Sequence, residues 1–365
     1  MKTFWRRAAV IAILSVAFTG SAAAQQLQKI KVLLPVTNVD EAYAPYMIAK
    51  ELGYYQAEGL DVDLVPVAGG NQVLIQIAAG NGDIGTIPPA NLVAGIQPEI
   101  GMRVLVFYNV YYRNIWSISV VPDSPVTRLG DLKGKKIGVA SMGSSGVAYG
   151  KAYLSKAGVD IGKDGTNYLT IGVGAQGAAA LRSKQVDAVV YWDAMLAKLD
   201  VAGFKLRQLP VDDSIRNLPD ISMGATLETL EKRPQVVIGF GRALAKGYEF
   251  NQVNREAAVR ITWKHFPASK PANMSEDEAL KNALVVNESR MQIWTSPKTG
   301  GKHGMFIAED WRNVVQFAKD HNVISREADA PLEKLYTNKF IEEINKFDRE
   351  PVTKQAKAFD PKSIR

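Results

Sequence analysis

The feature that most constrains the fold is an internal repeat with a long period. A stretch around Asp83 is echoed around Asp187, and each copy follows a glycine-bearing turn, Gly69-Gly70 in the first and Gly174 in the second. The two aspartates lie 104 residues apart. Solenoid repeats recur about every 20 to 50 residues, so this period is too long for one. The repeating unit is therefore a small α/β domain, and we expect two similar lobes with a cleft between them.

Short apolar runs alternate with amphipathic helices in both copies of the repeat. The first copy predicts strands at 30–35, 62–66, 84–87 and 104–108 and helices at 43–58 and 72–80; the second predicts strands at 137–140, 168–171 and 188–191 and helices at 147–157 and 178–183. This alternation favours an α/β fold with a mostly parallel sheet in each lobe, covered by helices on both faces.

Two segments, 115–121 and 221–226, are predicted to cross between the lobes, because the second copy fills the residues between them. After them the periodicity is helical, with helices expected at 227–266, 275–294, 308–321 and 331–347 that pack on the first lobe. The predicted division is a signal peptide at 1–24, lobe 1 at 25–117, lobe 2 at 118–221, completion of lobe 1 with the C-terminal helices at 222–348, and a loose polar tail at 349–365.

The first 24 residues read as a cleaved secretory signal. Lys2, Arg6 and Arg7 precede an apolar run at 8–18, and small residues occupy 21–24. The run is shorter than the roughly 20 residues that span a bilayer. The Arg6-Arg7 pair leaves open a twin-arginine signal instead of ordinary unfolded export. We expect the mature protein in the periplasm.

Composition narrows the function classes. Loss of the three basic signal residues would lower the formal net charge from +7 to +4, and no basic run suggests nucleic acid. The absence of cysteine excludes disulfides, thiolate chemistry and a lipid-modified cysteine. No later segment is apolar enough to enter a membrane. The sequence therefore predicts a free, soluble, monomeric protein.

Several motifs resemble those of solute-binding proteins of ABC importers. They are Ala44 to Val62, Gly69-Gly-Asn, Ala78 to Gly85, and Leu129 to Val139. The resemblance is to the branch of nitrate, sulfonate, taurine and thiamine-pyrimidine binders called the SsuA/THI5-like or NMT1-like family. It implies a type II periplasmic binding protein fold, in which a double-crossover hinge joins two α/β lobes. It also implies delivery of a small solute to an inner-membrane permease and its ATPase.

Ligands of open α/β sheets bind beyond the carboxyl ends of the strands, where loops lead into helices. Applied to the predicted elements, this rule selects twelve candidate ligand contacts: Asn38, Asp40, Tyr43, Gly70, Asn71, Asn91, Gly143, Ser144, Ser145, Gln176, Trp192 and Asp193. Arg113, just before the first predicted crossing, is a thirteenth candidate. Asp83 and Asp187 precede strands, at the opposite sheet end, and are predicted to be structural.

Each candidate also has a structural alternative. Ser144 and Ser145 open a helix whose N–H groups can hold an anion, a use that the family resemblance supports, but a serine there is also a common helix cap. Trp192 suits a planar solute or core packing, and Asp193 a cation or a cap. Arg113 suits a carboxylate or sulfonate, or a salt bridge at the hinge. For Asn38, Asp40, Tyr43 and Asn91, ligand contact and a structural role such as helix capping are both open.

Enzyme activity is not expected. The three histidines lie in the C-terminal region, away from the predicted cleft loops, and no G-x-S-x-G motif occurs near Ser144. The segment Gly172 to Gly177 fits G-x-G-x-x-G, but its position in the second copy favours a tight turn over a dinucleotide site. No cofactor and no metal ion are expected.

The leading interpretation is a periplasmic binding component that captures a small organic anion, namely a sulfonate, carboxylate or aromatic acid. A thiamine-pyrimidine-like heterocycle, bound through Asp193 or Asp40, is the alternative within the family. A ligand sensor that docks on a membrane receptor and a dinucleotide enzyme are alternatives from other classes. The net charge of the cleft discriminates between the first two.

Overall fold

The computed structural model describes residues 26–364, so the predicted signal peptide lies outside the described residues. Two five-stranded sheets form the centres of two lobes, with strand orders β2-β1-β3-β10-β4 and β7-β6-β8-β5-β9. The strands are β1 Gln28–Leu34, β2 Leu60–Pro66, β3 Ile84–Ile87, β4 Val104–Asn109, β5 Trp116–Val120, β6 Lys136–Val139, β7 Asn167–Thr170, β8 Ala188–Trp192, β9 Arg207–Gln208 and β10 Ser222–Thr226. The predicted α/β fold with two sheets is confirmed.

The two sheets share one topology. In the first, β1 pairs in parallel with β2 and β3; in the second, β6 pairs in parallel with β7 and β8. One strand in each sheet runs antiparallel to its neighbours, β10 in the first and β5 in the second. Each of these strands enters directly after the chain crosses from the other lobe. The second sheet therefore consists of one continuous part of the chain, β5 to β9, inserted between β4 and β10 of the first.

The repeated aspartates make the same contacts in both lobes. The Asp83 carboxylate accepts a hydrogen bond from the backbone N–H of Lys31 (2.8 Å), and the Asp187 carboxylate accepts one from Lys136 (2.9 Å). Each aspartate also donates its own N–H to the carbonyl of the same lysine. The predicted structural role of both residues is confirmed.

The two crossings run side by side at 110–115 and 217–221. Backbone hydrogen bonds link them, since Val110 and Tyr111 donate to the Ile221 carbonyl and Asp220 donates to the Tyr111 carbonyl. These two hydrogen-bonded linkers form the hinge between the lobes. The predicted crossing segments correspond to β5 and β10, which lie immediately after the linkers.

Helices cover both sheets. They are α1 Ala44–Glu51, α2 Tyr54–Ala57, α3 Gly70–Ala78, α4 Pro89–Gly95, α5 Ser145–Lys156, α6 Ala175–Arg182, α7 Asp193–Val201, α8 Asp213–Arg216, α9 Leu227–Lys232, α10 Pro234–Val253, α11 Arg255–His265, α12 Glu276–Glu288, α13 Ala308–Asp320, α14 Ile341–Ile344 and α15 Arg349–Ala358. Among residues 26–364, no helix is long and apolar enough to cross a bilayer.

Predicted helices are interrupted where a residue cannot continue them. The helix expected at 43–58 breaks at Gly53, which has a φ of 75°. The helix expected at 227–266 becomes three, because Pro234 starts α10 and the Asn254 side chain caps α11 by accepting from the Ala257 N–H (3.0 Å). Of the helix expected at 331–347, only short turns and α14 form.

The polar C-terminal segment is packed, not loose as the sequence predicts. Val352 and Ala356 of α15 are buried against α10. Asn254 donates to the Ala356 carbonyl (2.9 Å), and Tyr54 donates to Gln355 (2.7 Å). Two apolar positions and a few specific hydrogen bonds fix this helix, a pattern too sparse for periodicity to reveal.

Candidate functional site

A cleft of about 820 Å³ lies between the lobes. Loops at the carboxyl ends of the parallel strands line it, those after β1 and β2 from the first lobe and those after β6, β7 and β8 from the second. Arg290, which follows α12, is a further lining residue. The cleft therefore lies where strand order and helix N-termini direct a ligand in α/β folds.

The N-termini of α3 and α5, one from each lobe, meet at this cleft. Gly69 has a φ of 94°, and a side chain there would lie 2.9 Å from the Gly143 carbonyl oxygen. A side chain on Gly70 would lie 3.4 Å from Ser145 Oγ and would collide with the Pro88 ring. Glycines at both positions thus let the backbones of the two lobes touch. Both helix ends carry partial positive charge, which an anion between them would neutralise.

Two serines stand at the start of α5. Ser144 Oγ accepts a hydrogen bond from the Gly146 N–H (3.2 Å), so it caps the helix, and it also lines the cleft. Ser145 is buried and lines the cleft as well. Ser144 is therefore both the helix cap and a cleft residue. The first backbone N–H groups of α5 have no acceptor within the helix.

Helix α7 of the second lobe carries ion pairs to the first lobe. Lys198 Nζ lies 3.4 Å from the buried Asp40 carboxylate, which also accepts from the Ala42 N–H (3.1 Å). Five residues earlier, Asp193 accepts a hydrogen bond from Arg290 Nε (2.8 Å). Both pairs cross from one lobe to the other.

Arg290 lines the cleft but is almost completely buried, with 1% of its surface exposed. Its Nη1 donates to the Tyr111 hydroxyl (3.0 Å), and its guanidinium lies over the rings of Tyr43 (5.3 Å) and Tyr111 (5.1 Å). Burial opposes its charge, but Asp193 holds the pKa of Arg290 above its usual range. Cation–π contacts with desolvated rings add to this stabilisation.

Burial also raises the pKa values of the acids around Arg290. The pKa of Tyr43 rises to about 12 through burial, with Arg290 opposing the rise. Burial raises the pKa of Asp193, and Arg290 and the Ala194 N–H oppose this. Tyr43 therefore stays neutral and presents a hydroxyl and a ring to the cleft.

Aromatic rings form one wall of the cleft. Trp116 and Trp192 both line it and meet edge to face, with ring centroids 5.6 Å apart. Neither indole N–H has a hydrogen-bond partner within residues 26–364. Gly146 leaves room for Trp116, since a side chain there would lie 2.5 Å from its ring. These surfaces suit a ligand with an apolar or planar part.

The structure brings together eight of the thirteen residues predicted from the sequence. Asn38, Asp40, Tyr43, Gly70, Ser144, Ser145, Gln176 and Trp192 line the cleft. Asp193 lies directly behind Arg290 and is not itself a lining residue. Its carboxylate is already occupied by an arginine, so it is not the free acceptor that a cationic ligand would need.

Four predicted contacts lie elsewhere. Asn91 donates to Asn71 (3.4 Å), and neither residue lines the cleft. Gly143 faces Gly69 where the lobes touch. Arg113 is exposed and lines a crevice on another side of the hinge with Lys156 and His321, because the chain turns away from the cleft in the first crossing.

Among the lining residues that sequence reasoning missed are three cations, Arg290, Lys198 and Arg182, and one aromatic residue, Trp116. Trp116 starts a predicted crossing strand and could have been found from that position. Lys198 lies five residues after Asp193, more than one helical turn away along α7. Arg290 follows a C-terminal helix without any motif, so only tertiary packing reveals it.

The three histidines lie outside the cleft. His265 pairs with Glu51 (2.9 Å), His303 with Glu249 (2.7 Å), and His321 lines the crevice beside Arg113. Within residues 26–364, no three His, Cys, Asp or Glu side chains cluster in a way that could hold a metal ion.

Known proteins resemble this chain over most of its length. It is 24% identical over 310 residues to the riboflavin-binding protein RibY of Chloroflexus aurantiacus, covering 82% of each. It is 26% identical over 258 residues to a Brucella abortus protein provisionally named a binding protein, covering 70% of this chain and 76% of that one.

Solved structures share the fold. The alkanesulfonate-binding protein SsuA from Xanthomonas axonopodis pv. citri, bound to MOPS, matches with a TM-score of 0.64 at 16% identity, covering 85% of this chain and 98% of that one. The desulfurization enzyme DszB matches with a TM-score of 0.51 at 15% identity, covering 87% and 98%. At these identities the likeness establishes the periplasmic binding protein fold alone.

The family resemblance seen in the sequence is also confirmed. Residues 40–258, more than half of the chain, match the family model described as NMT1/THI5 like. The matched region includes both sheets' parallel strands except β1, and both helix N-termini that meet at the cleft. The chain belongs to the NMT1/THI5-like family.

Proposed function

We propose that the protein is the periplasmic solute-binding component of an ABC importer and that it captures a small organic anion between its lobes. Sulfonates, aliphatic carboxylates and aromatic acids are the proposed ligands. The observation that carries this proposal is the meeting of the α3 and α5 N-termini from opposite lobes. Two positive helix ends that face the same gap favour an anion in it.

The charges of the cleft support an anion. Arg182, Lys198 and Arg290 line it, against the single lining carboxylate of Asp40 and the Asp193 carboxylate behind Arg290. The balance is positive. Within the proposal, Ser144 and Ser145 hold the acid group at the start of α5, while Tyr43, Trp116 and Trp192 pack on the apolar part.

The proposed mechanism is hinge closure. Lobe 1 (25–117 and 222–348) and lobe 2 (118–221) swing together about the paired crossings, and the closed form is recognised by an inner-membrane permease with its ATPase. A ligand that contacts both helix ends binds the closed form more tightly than the open one and so shifts the equilibrium toward it. Export by the predicted signal peptide would place a monomer in the periplasm.

A planar heterocycle is the second candidate ligand. The aromatic wall favours such a ligand. The relative RibY, which matches over 82% of each chain, is named for riboflavin. A heterocycle bound mainly through its ring amines would need a free carboxylate as acceptor. The Asp193 carboxylate does not meet this need, because it already accepts a hydrogen bond from Arg290.

Thermal shifts test the proposal. The protein is unfolded and refolded to remove carried ligand, then screened with sulfonates, aliphatic and aromatic carboxylates, nitrate, pyrimidines and riboflavin. A ligand at about 100 times its Kd adds about 2.7 kcal/mol of stability. We expect the largest shift from an organic acid.

Serine variants test whether the ligand found in the screen binds at the start of α5. Ser144→Ala/Ser145→Ala should reduce the ligand-induced shift, whereas Ser155→Ala, later on α5 and outside the cleft, should keep it. Shifts are compared with each variant's own unliganded Tm, because loss of the cap alone costs about 1 kcal/mol. A hit confined to pyrimidines or riboflavin would replace the anion proposal with the heterocycle.

A further inference from the structure

The cleft has an arm that extends into the second lobe. The same cavity is lined by Ala178 of α6, by Met195 and Leu199 of α7, and by Phe204 beyond α7. All four are apolar and at least nine-tenths buried. Ala202, exposed at the end of α7, lines the arm as well. An apolar arm of this kind does not suit a small inorganic anion.

A cation without a carboxylate partner also lines the arm. The Arg182 guanidinium lies 4.7 Å from the centre of the Phe204 ring. The other two cations of the cleft have partners, since Lys198 pairs with Asp40 and Arg290 with Asp193. Within residues 26–364, Arg182 makes no ion pair and no hydrogen bond through its side chain. Among the cleft cations, it is therefore the one available to bind an acid directly.

Helix α6 leads from the cleft to Arg182. The helix begins at Ala175 in the cleft and ends at Arg182, so its eight residues extend over roughly 11 Å. Because helical side chains point back toward the N-terminus, the guanidinium lies nearer to the cleft than the Arg182 backbone. A chain of several methylene groups would cover this distance along the apolar wall.

We propose that the ligand is an elongated organic diacid. One acid group binds at the α3 and α5 N-termini, the apolar spacer lies against Met195, Leu199 and Phe204, and the second acid group binds Arg182. This inference rests on the proposed function, since it takes the cleft to be a site for organic acids. It adds that the acid has two charged ends and a spacer of defined length.

Calorimetric titration of the ligand-stripped full chain with octanedioate and octanoate tests the proposal. The two probes have the same length and differ in the second acid group. We expect octanedioate to bind about tenfold tighter than octanoate, equivalent to about 1.4 kcal/mol. Arg182→Gln should remove that difference. Lys184→Gln, a nearby exposed cation outside the cavity, should keep the difference.

A second variant tests the arm independently of charge. Ala202→Trp narrows the arm at an exposed position, so it should weaken octanedioate binding without lowering the unliganded Tm. Equal affinity for the two probes in the wild-type protein, or an Ala202→Trp variant that binds octanedioate normally, would overturn the diacid proposal alone. If no acid in the titrations or the thermal screen bound, the proposed function itself would fail.

Discussion

At the scale of single residues, the hinge contains a buried carboxyl group. Asp220 is fully buried, and one of its oxygens accepts from the Ile115 N–H at 3.3 Å. The other has no partner within residues 26–364. Burial raises the pKa of Asp220 to about 7; Asp193 adds to the rise, while the Ile115 N–H and Arg290 oppose it. The hydroxyls of Tyr149 and Tyr153 also lie near this carboxyl group and are neutral.

This raised pKa predicts a pH-dependent stability. From its ordinary pKa of 3.8 up to about 7, the unfolded carboxyl group has lost its proton while the folded one keeps it. The contribution of Asp220 to the free energy of unfolding therefore falls as pH rises through that window. Asp220→Asn cannot ionise, so its Tm should fall less between pH 5 and pH 8, by a few degrees.

Thermal melts across that range test this prediction, with Asp200→Asn, an exposed aspartate on α7, as the control. If Asp220→Asn and the wild-type protein lost the same number of degrees between the two pH values, Asp220 would be ionised in the fold and the inference would be wrong.

Residue-level prediction succeeds where a local pattern defines a position. Ser144, Ser145 and Trp192 follow strands at the sheet end where ligands bind, and the fold places all three at the cleft. Arg290 has no such local signal, because its position depends on how α12 packs against the second lobe. Arg113 shows the opposite error: it follows a strand, but the hinge carries it to another side of the molecule.

At the scale of elements, α7 is the helix that joins the lobes outside the hinge. It packs against α12, and Ala194 contacts Val286 and Ala42 of the first lobe. Asp193 and Lys198, at its two ends, supply the ion pairs to Arg290 and Asp40. These contacts hold the two lobes together on the side of the cleft away from the hinge linkers.

Removal of both pairs should open the unliganded protein. We expect Asp193→Asn/Lys198→Met to have a larger radius of gyration in solution scattering than the wild-type protein. The matched control is Asp200→Asn/Lys205→Met, which removes an α7 ion pair of 3.5 Å that stays within the second lobe. Equal radii for the wild-type protein and both variants would show that α7 does not hold the lobes together.

Elements are predictable to the extent that their signals are local. The parallel strands and most amphipathic helices follow from periodicity, and the repeat explains why the two sheets agree. Helix ends were less predictable, because Gly53, Pro234 and Asn254 interrupt otherwise continuous helical patterns. Helix α15 was missed because only two of its residues are buried, and its contacts lie far away in sequence.

At the scale of the whole molecule, lobe 2 is an insertion in lobe 1, joined to it by two crossings that lead into β5 and β10. Each crossing ends in a strand inside the opposite sheet, between two strands of that lobe. The hinge can therefore bend only at the short linkers 110–115 and 217–221, and the helix N-termini of the two lobes approach each other when it closes. This architecture fits capture of a ligand that contacts both lobes at once.

The most direct test of the central claim compares two ligands that share an apolar chain and carry head groups of opposite charge. Ligand-stripped protein is titrated in a calorimeter with hexanesulfonate and with hexylamine, which share one apolar chain. The account predicts binding of the sulfonate at one site per chain, with the amine weaker by about tenfold or more. An amine that bound as tightly as the sulfonate, or a failure of every organic acid tried to bind, would contradict it.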